Sequence, residues 1–238
     1  MEEGITVADF PAIVAALTRA GLTPRGGFHP TAEDRVPALP GGRPTKTLVL
    51  AGNVGPAMWR MFSGQRQASD EPHALDRWTR RLLEPLAEAL GGQALFPFGG
   101  PPHLPFQRWA QRAEPVHPSP IGPLIHPDHG LWHAYRGALA FPGRLDLPPE
   151  DGRPSPCESC ADKPCLATCP VGALTTDGYD VAACAAHIAS PAGEANLDVN
   201  DCMAQSCRAR RACPVGQAQA YGPEQSRLHM DAFLRARA

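Results

Sequence analysis

The sequence predicts helices and strands alternating around a central sheet, α+β or α/β, followed by a small cysteine-rich module. Three observations carry this. Apolar residues switch between helical and strand spacing over roughly the first 140 positions. All eight cysteines fall between Cys157 and Cys213. Between the two regions, Phe141–Pro156 is rich in proline and glycine and reads as an extended connector. The expected boundary lies near residue 150, giving an N-terminal domain over 1–150 and a second over 151–238 that ends in a helix.

Along the first region, Val7, Phe10, Ile13, Val14 and Leu17 recur at helical spacing, with Gly21 as the stop. Thr47–Ala51 reads as a short buried strand. After it, Gly52-Asn53-Val54-Gly55 leads to a helix start at Pro56. That glycine pair lacks the Lys-Ser/Thr of a phosphate loop, so an ordinary strand-to-helix turn is expected. A helix over 72–90 should end at Gly91-Gly92 and be kinked or split by Pro85. Gln93–Phe98 reads as a second strand and Leu104–Ala113 as a helix. Leu124–His126 and Leu131–Phe141 read as strands joined by the turn Pro127-Asp128-His129-Gly130. Alternation puts His133 and Tyr135 on one side of the last strand and Arg136 on the other. About 150 residues suffice to bury a core.

Composition excludes several classes. A net charge of −2 with interspersed signs gives no field of the size nucleic acid requires. The start Met1–Phe10 is acidic and has neither the basic nor the apolar part of a signal peptide. The longest apolar run, Leu131–Phe141, is interrupted by His133 and Arg136 and is too short to cross a bilayer. A cytoplasmic protein with no nucleic-acid or membrane partner is expected.

The cysteines carry the chemistry. The first set, Cys157-Glu-Ser-Cys160-Ala-Asp-Lys-Pro-Cys165-Leu-Ala-Thr-Cys169-Pro170, has two residues more in its middle gap than the bacterial two-cluster ferredoxin run. Cys184 follows alone, then Cys202, Cys207 and Cys213-Pro214. Both sets end in Cys-Pro-Val-Gly, at 169–172 and 213–216. Eight thiolates are the number two [4Fe–4S] clusters need. In ferredoxins the last cysteine of each run ligates the other cluster. That rule assigns Cys157, Cys160, Cys165 and Cys213 to one cluster and leaves Cys169, Cys184, Cys202 and Cys207 for the other. A disulfide framework, structural zinc and a single cluster with spare cysteines are the competing readings. So short a module has little core, and metal should supply most of its folding free energy. Arg208, Arg210 and Arg211 read either as a solvated basic turn or as charge that raises a cluster's potential.

Two stretches carry a family resemblance. Leu39-Pro40-Gly41 and the run from Leu48 to Trp59 resemble the cobalamin-processing family of the cobalamin C type. The clearer match is Ile121-Gly-Pro-Leu-Ile-His-Pro-Asp-His-Gly-Leu-Trp-His-Ala-Tyr-Arg-Gly137, continuing to Leu147-Pro148-Pro149. It resembles an Ile-His-Pro-x-x-Gly-x-Trp segment found in that family and in epoxyqueuosine reductase. Epoxyqueuosine reductase and the reductive dehalogenases also carry a two-cluster ferredoxin module after the cobalamin domain. The resemblance covers most of residues 20–216 and implies a flavin-nitroreductase-like α+β domain that binds cobalamin with its lower base displaced. It implies that Ile121, Gly122, Pro123, Leu124, Ile125, His126, Gly130 and Trp132 lie near the corrin, with glycine allowing close backbone approach to the macrocycle. By resemblance alone, His126 would touch a corrin amide or cap a turn.

Two departures argue against epoxyqueuosine reduction. Phe98, within Phe96-Pro-Phe-Gly-Gly-Pro101, stands where that enzyme has its proposed acidic proton donor. The chain ending at Ala238 leaves no room for its tRNA-binding extension. The expected function is an oxidoreductase passing electrons from two [4Fe–4S] clusters to cobalt, for upper-ligand removal from cobalamin or corrinoid-dependent substrate reduction. The alternatives are a ferredoxin-type carrier without corrin and a flavin enzyme with FMN in the same pocket. Expected partners are a small-molecule corrinoid and a low-potential donor: ferredoxin, flavodoxin or flavin reductase. No catalytic acid or base is assigned; His103, His126, His129, His133 and Tyr135 are candidates. Nothing in the sequence sets the oligomeric state.

Overall fold

A computed structural model describes residues 8–65, 73–190 and 202–237. Val7 and residue 72, assigned to helices above, lie outside the described residues. The chain is a mixed α+β protein that divides into two compact units. The first comprises Met1–Pro115 and Ala134–Gly152, the second Val116–His133 and Arg153–Ala238. A single cut near 150 therefore does not describe the partition: the Ile-His-Pro segment belongs with the cysteines.

The first unit is a four-stranded sheet, flanked by helices, in the order β1 (Thr23–Phe28), β2 (Thr47–Val54), β6 (His133–Phe141) and β3 (Gln93–Leu95). α1 (Phe10–Arg19) opens on Asp9, whose side chain accepts the Ala12 N–H at 2.8 Å, and buries Ile13, Ala16 and Leu17. β1 (Thr23–Phe28) pairs antiparallel with β2 (Thr47–Val54), which is buried on both faces through Asn53. Such two-sided burial is why β2 reads as a continuous apolar run rather than an alternating one. β2 runs on through Val54, past the strand end expected at Ala51, so the expected Gly52–Gly55 turn shrinks to Gly55-Pro56 before α2 (Ala57–Gln65).

α3 (Ala74–Ala89) passes through Pro85 without splitting. Pro85 sits on the exposed face, so the Arg81 carbonyl it leaves unbonded can turn to water. β3 (Gln93–Leu95) is shorter than expected and pairs with the far end of β6 (His133–Phe141). Phe96 and Phe98 leave the ladder to stack on each other at 5.1 Å, under the Arg80 guanidinium. α4 (Phe106–Ala113) then packs on β1.

Asp34 is a buried brace in this unit. Its carboxylate accepts from the Thr31 N–H at 2.7 Å and from Arg112 at 2.7 and 2.8 Å. Burial alone would raise its pKa; the Thr31 hydrogen bond and the Arg112 charge outweigh it and hold the carboxyl below its ordinary value. A depressed carboxyl stabilises the fold above the unfolded-state value, and that stability is lost as pH falls through the folded value. Asp34→Asn should therefore lower Tm near neutral pH, and its gap from the wild type should close below about pH 3.8. Tm measured against pH checks this; a gap that widened in acid would contradict it.

In the second unit, β4 (His117–Pro118) pairs with β5 (Leu124–Ile125). The hairpin expected between residues 124 and 141 does not form as one ladder. Instead, residues 126–130 close on themselves through reciprocal His126–Gly130 backbone bonds of 2.9 Å, and β5 takes β4 as its partner. The rest is short: α5 (Pro156–Ser159), α6 (Pro164–Ala167), the β7–β8 pair (Leu174–Thr175 with Gly178–Tyr179), α7 (Val181–Ala189), α8 (Cys202–Gln205), α9 (Arg208–Ala212) and α10 (Pro223–Arg235). α10 packs on α7 and α8, and α9 on α6.

Candidate metal centre

All eight cysteines are free thiols. They fall into two sets according to which thiols act on one another. Burial first, against an opposing Ser155 contact, pushes the Cys157 thiol up; Cys213 and Cys160 add to it. Cys165 is raised by burial, then by Cys213, Cys157 and Cys160. Cys213 is raised by burial, opposed by the Val215 N–H, and then by Cys160. In the other set, Cys184 is raised by burial, opposed by Tyr179, and then by Cys207 and Cys169. Cys202 is raised by burial, eased by the Arg208 N–H, and raised again by Cys207, with Arg211 opposing and Cys184 adding.

The second set lines a cavity of about 390 Å³. Cys169, Cys184, Cys202 and Cys207 share its wall with Val171, Leu174, Ile188, Met230 and Phe233. Elements of very different sequence separation bring them together. The turn after α6 supplies Cys169, the middle of α7 supplies Cys184, and Cys202 begins α8. Backbone donors reach the sulfurs: the Ala173 N–H lies 3.2 Å from Cys169 Sγ, and Arg208 and Val215 N–H groups serve Cys202 and Cys213. Four soft thiols with N–H donors suit an iron–sulfur group, whose potential such bonds tune. Among the described residues, no three His, Cys, Asp or Glu side chains converge on a point suited to a single ion.

The eight residues expected near a corrin are distributed as follows. Ile121, Gly122 and Pro123 border the thiol-lined cavity. Ile121, Ile125 and Leu131 pack with Leu174, Ala209 and Cys213, against the sulfurs of Cys157, Cys165, Cys169 and Cys207. Leu124 and His126 are buried, and Trp132 is 0% exposed. The Trp132 ring meets Tyr221 at 5.3 Å, and the Arg210 guanidinium lies over both rings at 4.4 and 4.5 Å. Arg210 Nε also donates to the Leu131 carbonyl at 2.9 Å. The basic stretch 208–211 is thus not a solvated turn: Arg210 lies against two aromatic rings, and Arg211 bonds Gln205 at 2.8 Å.

Gly130 has a reason other than ligand approach. It adopts φ +55°, and a Cβ there would stand 2.0 Å from the Val215 carbonyl oxygen. Its counterpart Gly216 adopts φ +72°, and its Cβ would stand 2.3 Å from the His129 carbonyl. The two glycines let the Cys213-Pro-Val-Gly ending lie backbone to backbone on residues 129–130.

The candidate acids and bases are mostly committed. His126 Nδ1 accepts the Asp128 N–H at 3.0 Å, so it caps its turn, and its ring stacks on His129 at 4.3 Å. His133 Nε2 lies 3.0 Å from the Leu124 carbonyl oxygen. His103 borders the Phe96–Leu104 loop beside Arg80. Tyr135 donates to Glu114, and burial first, then the Glu114 charge, pushes its hydroxyl far above the ordinary range. It is therefore a structural donor. Arg136 points the other way, to Asp76 and Thr79.

Sequence reasoning missed Tyr179 and His187 in the cavity wall and the buried Arg25–Glu114 pair under Tyr135. Only Arg25 had a signal, a lone charge inside a strand. Neither Tyr179 nor His187 belongs to any spacing pattern.

An α+β sheet domain with a compact unit displaying two sets of four thiols defines the class. Among solved structures the chain is similar to epoxyqueuosine reductase. The selenomethionine-labelled enzyme aligns at TM-score 0.50 and 15% identity, covering 91% of this chain and 68% of that one. The same enzyme with an epoxyqueuosine-modified tRNA-Tyr stem loop gives 0.49 and 16%, covering 91% and 68%. The Bacillus subtilis enzyme gives 0.49 and 18%, covering 88% and 66%. The chain thus spans about two thirds of those proteins' length, and at TM-score 0.50 it shares the fold of the selenomethionine-labelled enzyme. No family model matches it, and no curated protein does. No described helix is long and apolar enough to cross a membrane.

Proposed function

We propose that the chain is a cobalamin-binding iron–sulfur oxidoreductase. In this reading Cys157, Cys160, Cys165 and Cys213 hold one [4Fe–4S] cluster, and Cys169, Cys184, Cys202 and Cys207 hold the other. The observation that carries it is the gathering of Cys169, Cys184, Cys202 and Cys207 in the wall of one cavity. Bound clusters supply one-electron transfer, and a corrinoid supplies the metal that accepts the electrons. The chain's own contribution is to bind and to shield. Ala173, Arg208 and Val215 N–H groups favour the anionic sulfur, and Leu174, Ile188, Met230 and Phe233 line the cavity with apolar surface.

The corrin assignment draws on the Ile121–Trp132 resemblance and on the shared fold, with a flavin-nitroreductase-like first domain. The activity proposed is reductive processing of cobalamin or reduction of a substrate through it, in the cytoplasm, with electrons from ferredoxin, flavodoxin or a flavin reductase. Epoxyqueuosine reduction is not proposed. By the sequence resemblance Phe98 stands where that enzyme has its proposed donor, and its ring lies beneath Arg80 and Arg136 at 5.5 and 5.3 Å. A second reading, an electron carrier without corrin, is favoured by burial of Ile121, Leu124, Ile125, His126, Gly130 and Trp132 within the second unit.

Anaerobic reconstitution with iron, sulfide and cob(II)alamin tests both parts. The expected product carries about eight iron and eight sulfide per chain, and a base-off cobalt spectrum. Cys165→Ala and Cys184→Ala should each reduce iron to about four per chain. Full iron with an unchanged cobalamin spectrum would leave the carrier; flavin fluorescence released on unfolding would mark the FMN alternative. Zinc without acid-labile sulfide would sink the proposal.

A further inference from the structure

The wall of the 390 Å³ cavity contains polar side chains that the ligand assignment does not use, His187 and Tyr179 among them. His187 lies three residues after Cys184 on α7, so the two share a helix face. Its Nε2 is shielded from solvent and makes no hydrogen bond among the described residues. A buried imidazole nitrogen in an apolar wall calls for a partner, and the neighbouring sulfurs are acceptors. Tyr179, at the end of β8, lines the same cavity and shares a hydrogen bond with the Cys184 thiol. It is 42% exposed, so it stands at the cavity's rim while His187 stands in its wall. The remaining imidazole in the wall, His229, stacks on Tyr221 at 5.3 Å.

We infer that His187 and Tyr179 donate hydrogen bonds to the group held by Cys169, Cys184, Cys202 and Cys207, and thereby raise its reduction potential independently of the other group. This rests on the iron–sulfur reading above. The physical basis is that donors to sulfur stabilise the extra negative charge of the reduced state. His187 would do so as its Nε2–H tautomer, because thiolate and sulfide offer only lone pairs. Both are positioning residues: neither supplies a ligand.

The test is an EPR-monitored redox titration of the anaerobically reconstituted full chain. Wild type should show two reductive waves. Tyr179→Phe and His187→Leu should each move one wave, the same one, to lower potential, and the double variant should move it further. The second wave should stay in place and iron content should stay at the wild-type level. His187→Gln, which keeps an N–H donor, should restore most of the shift and serves if the leucine variant does not fold. Full iron with unmoved waves, or equal displacement of both, would overturn the inference alone. A wild-type protein without iron and labile sulfide would overturn the reading beneath it, and the inference with it.

Discussion

Replacing Gly216 by alanine should unfold or nearly unfold the second unit, while the same change at Gly172 should cost about 1 kcal/mol, the usual strain of a left-handed L-residue. The two glycines close identical Cys-Pro-Val-Gly segments and have similar φ, +72° and +62°. They differ in what surrounds them. A Cβ at Gly172 meets nothing within 4 Å, whereas at Gly216 it meets the His129 carbonyl at 2.3 Å. Backbone cannot step aside as a flexible side chain can, so overpacking adds to strain and the total should exceed about 3 kcal/mol. Gly130→Ala should match Gly216→Ala, since its Cβ would meet Val215 from the opposite side. Thermal melts of the three variants decide it. Equal losses at Gly172 and Gly216 would show that chain conformation, not contact, governs both.

Arg25→Met should destabilise the first unit by about 3–5 kcal/mol, the usual effect of leaving one member of a buried ion pair alone. Arg25 is 1% exposed; its Nε donates to both Glu114 oxygens at 2.9 and 3.0 Å and its Nη1 to the Asn53 carbonyl at 3.2 Å. The Tyr135 hydroxyl donates to the same carboxylate. Removing Arg25 leaves that carboxylate buried with little compensation. Adding Glu114→Gln to Arg25→Met should recover part of the loss, because the amide can still accept from Tyr135 without carrying charge. Chemical denaturation of the single and double variants measures the recovery. A double variant less stable than Arg25→Met would contradict it.

Much of the sheet domain was legible because its periodicities are strong. The run at Thr47–Ala51 is apolar because β2 is covered on both faces, and Gly21, read as the stop, takes a positive φ just past α1. What failed to show was tertiary. Pro85 reads as a break, yet on an exposed face it costs only a bond that water can replace. Gln93–Phe98 reads as six strand residues, yet Phe96 and Phe98 leave the ladder and lie under the Arg80 guanidinium. In the candidate site, cysteine spacing names thiols without help. The side chains that complete their wall, Tyr179 and His187, come from residues with no pattern to find. Gly130 reads as room for a ligand, and only coordinates reveal the Val215 carbonyl that takes that room.

The chain passes between its two units three times, since 116–133 is contributed to the cysteine unit before 134–152 returns to the sheet. During synthesis, Ile121, Ile125 and Leu131 therefore emerge well ahead of Leu174, Ala209 and Cys213, the residues that will cover them. A nascent chain halted near residue 152 would hold a finished sheet and an uncovered greasy loop. Such a fragment is a natural client for chaperones, and shortening the gene at the apparent linker would make that transient condition permanent.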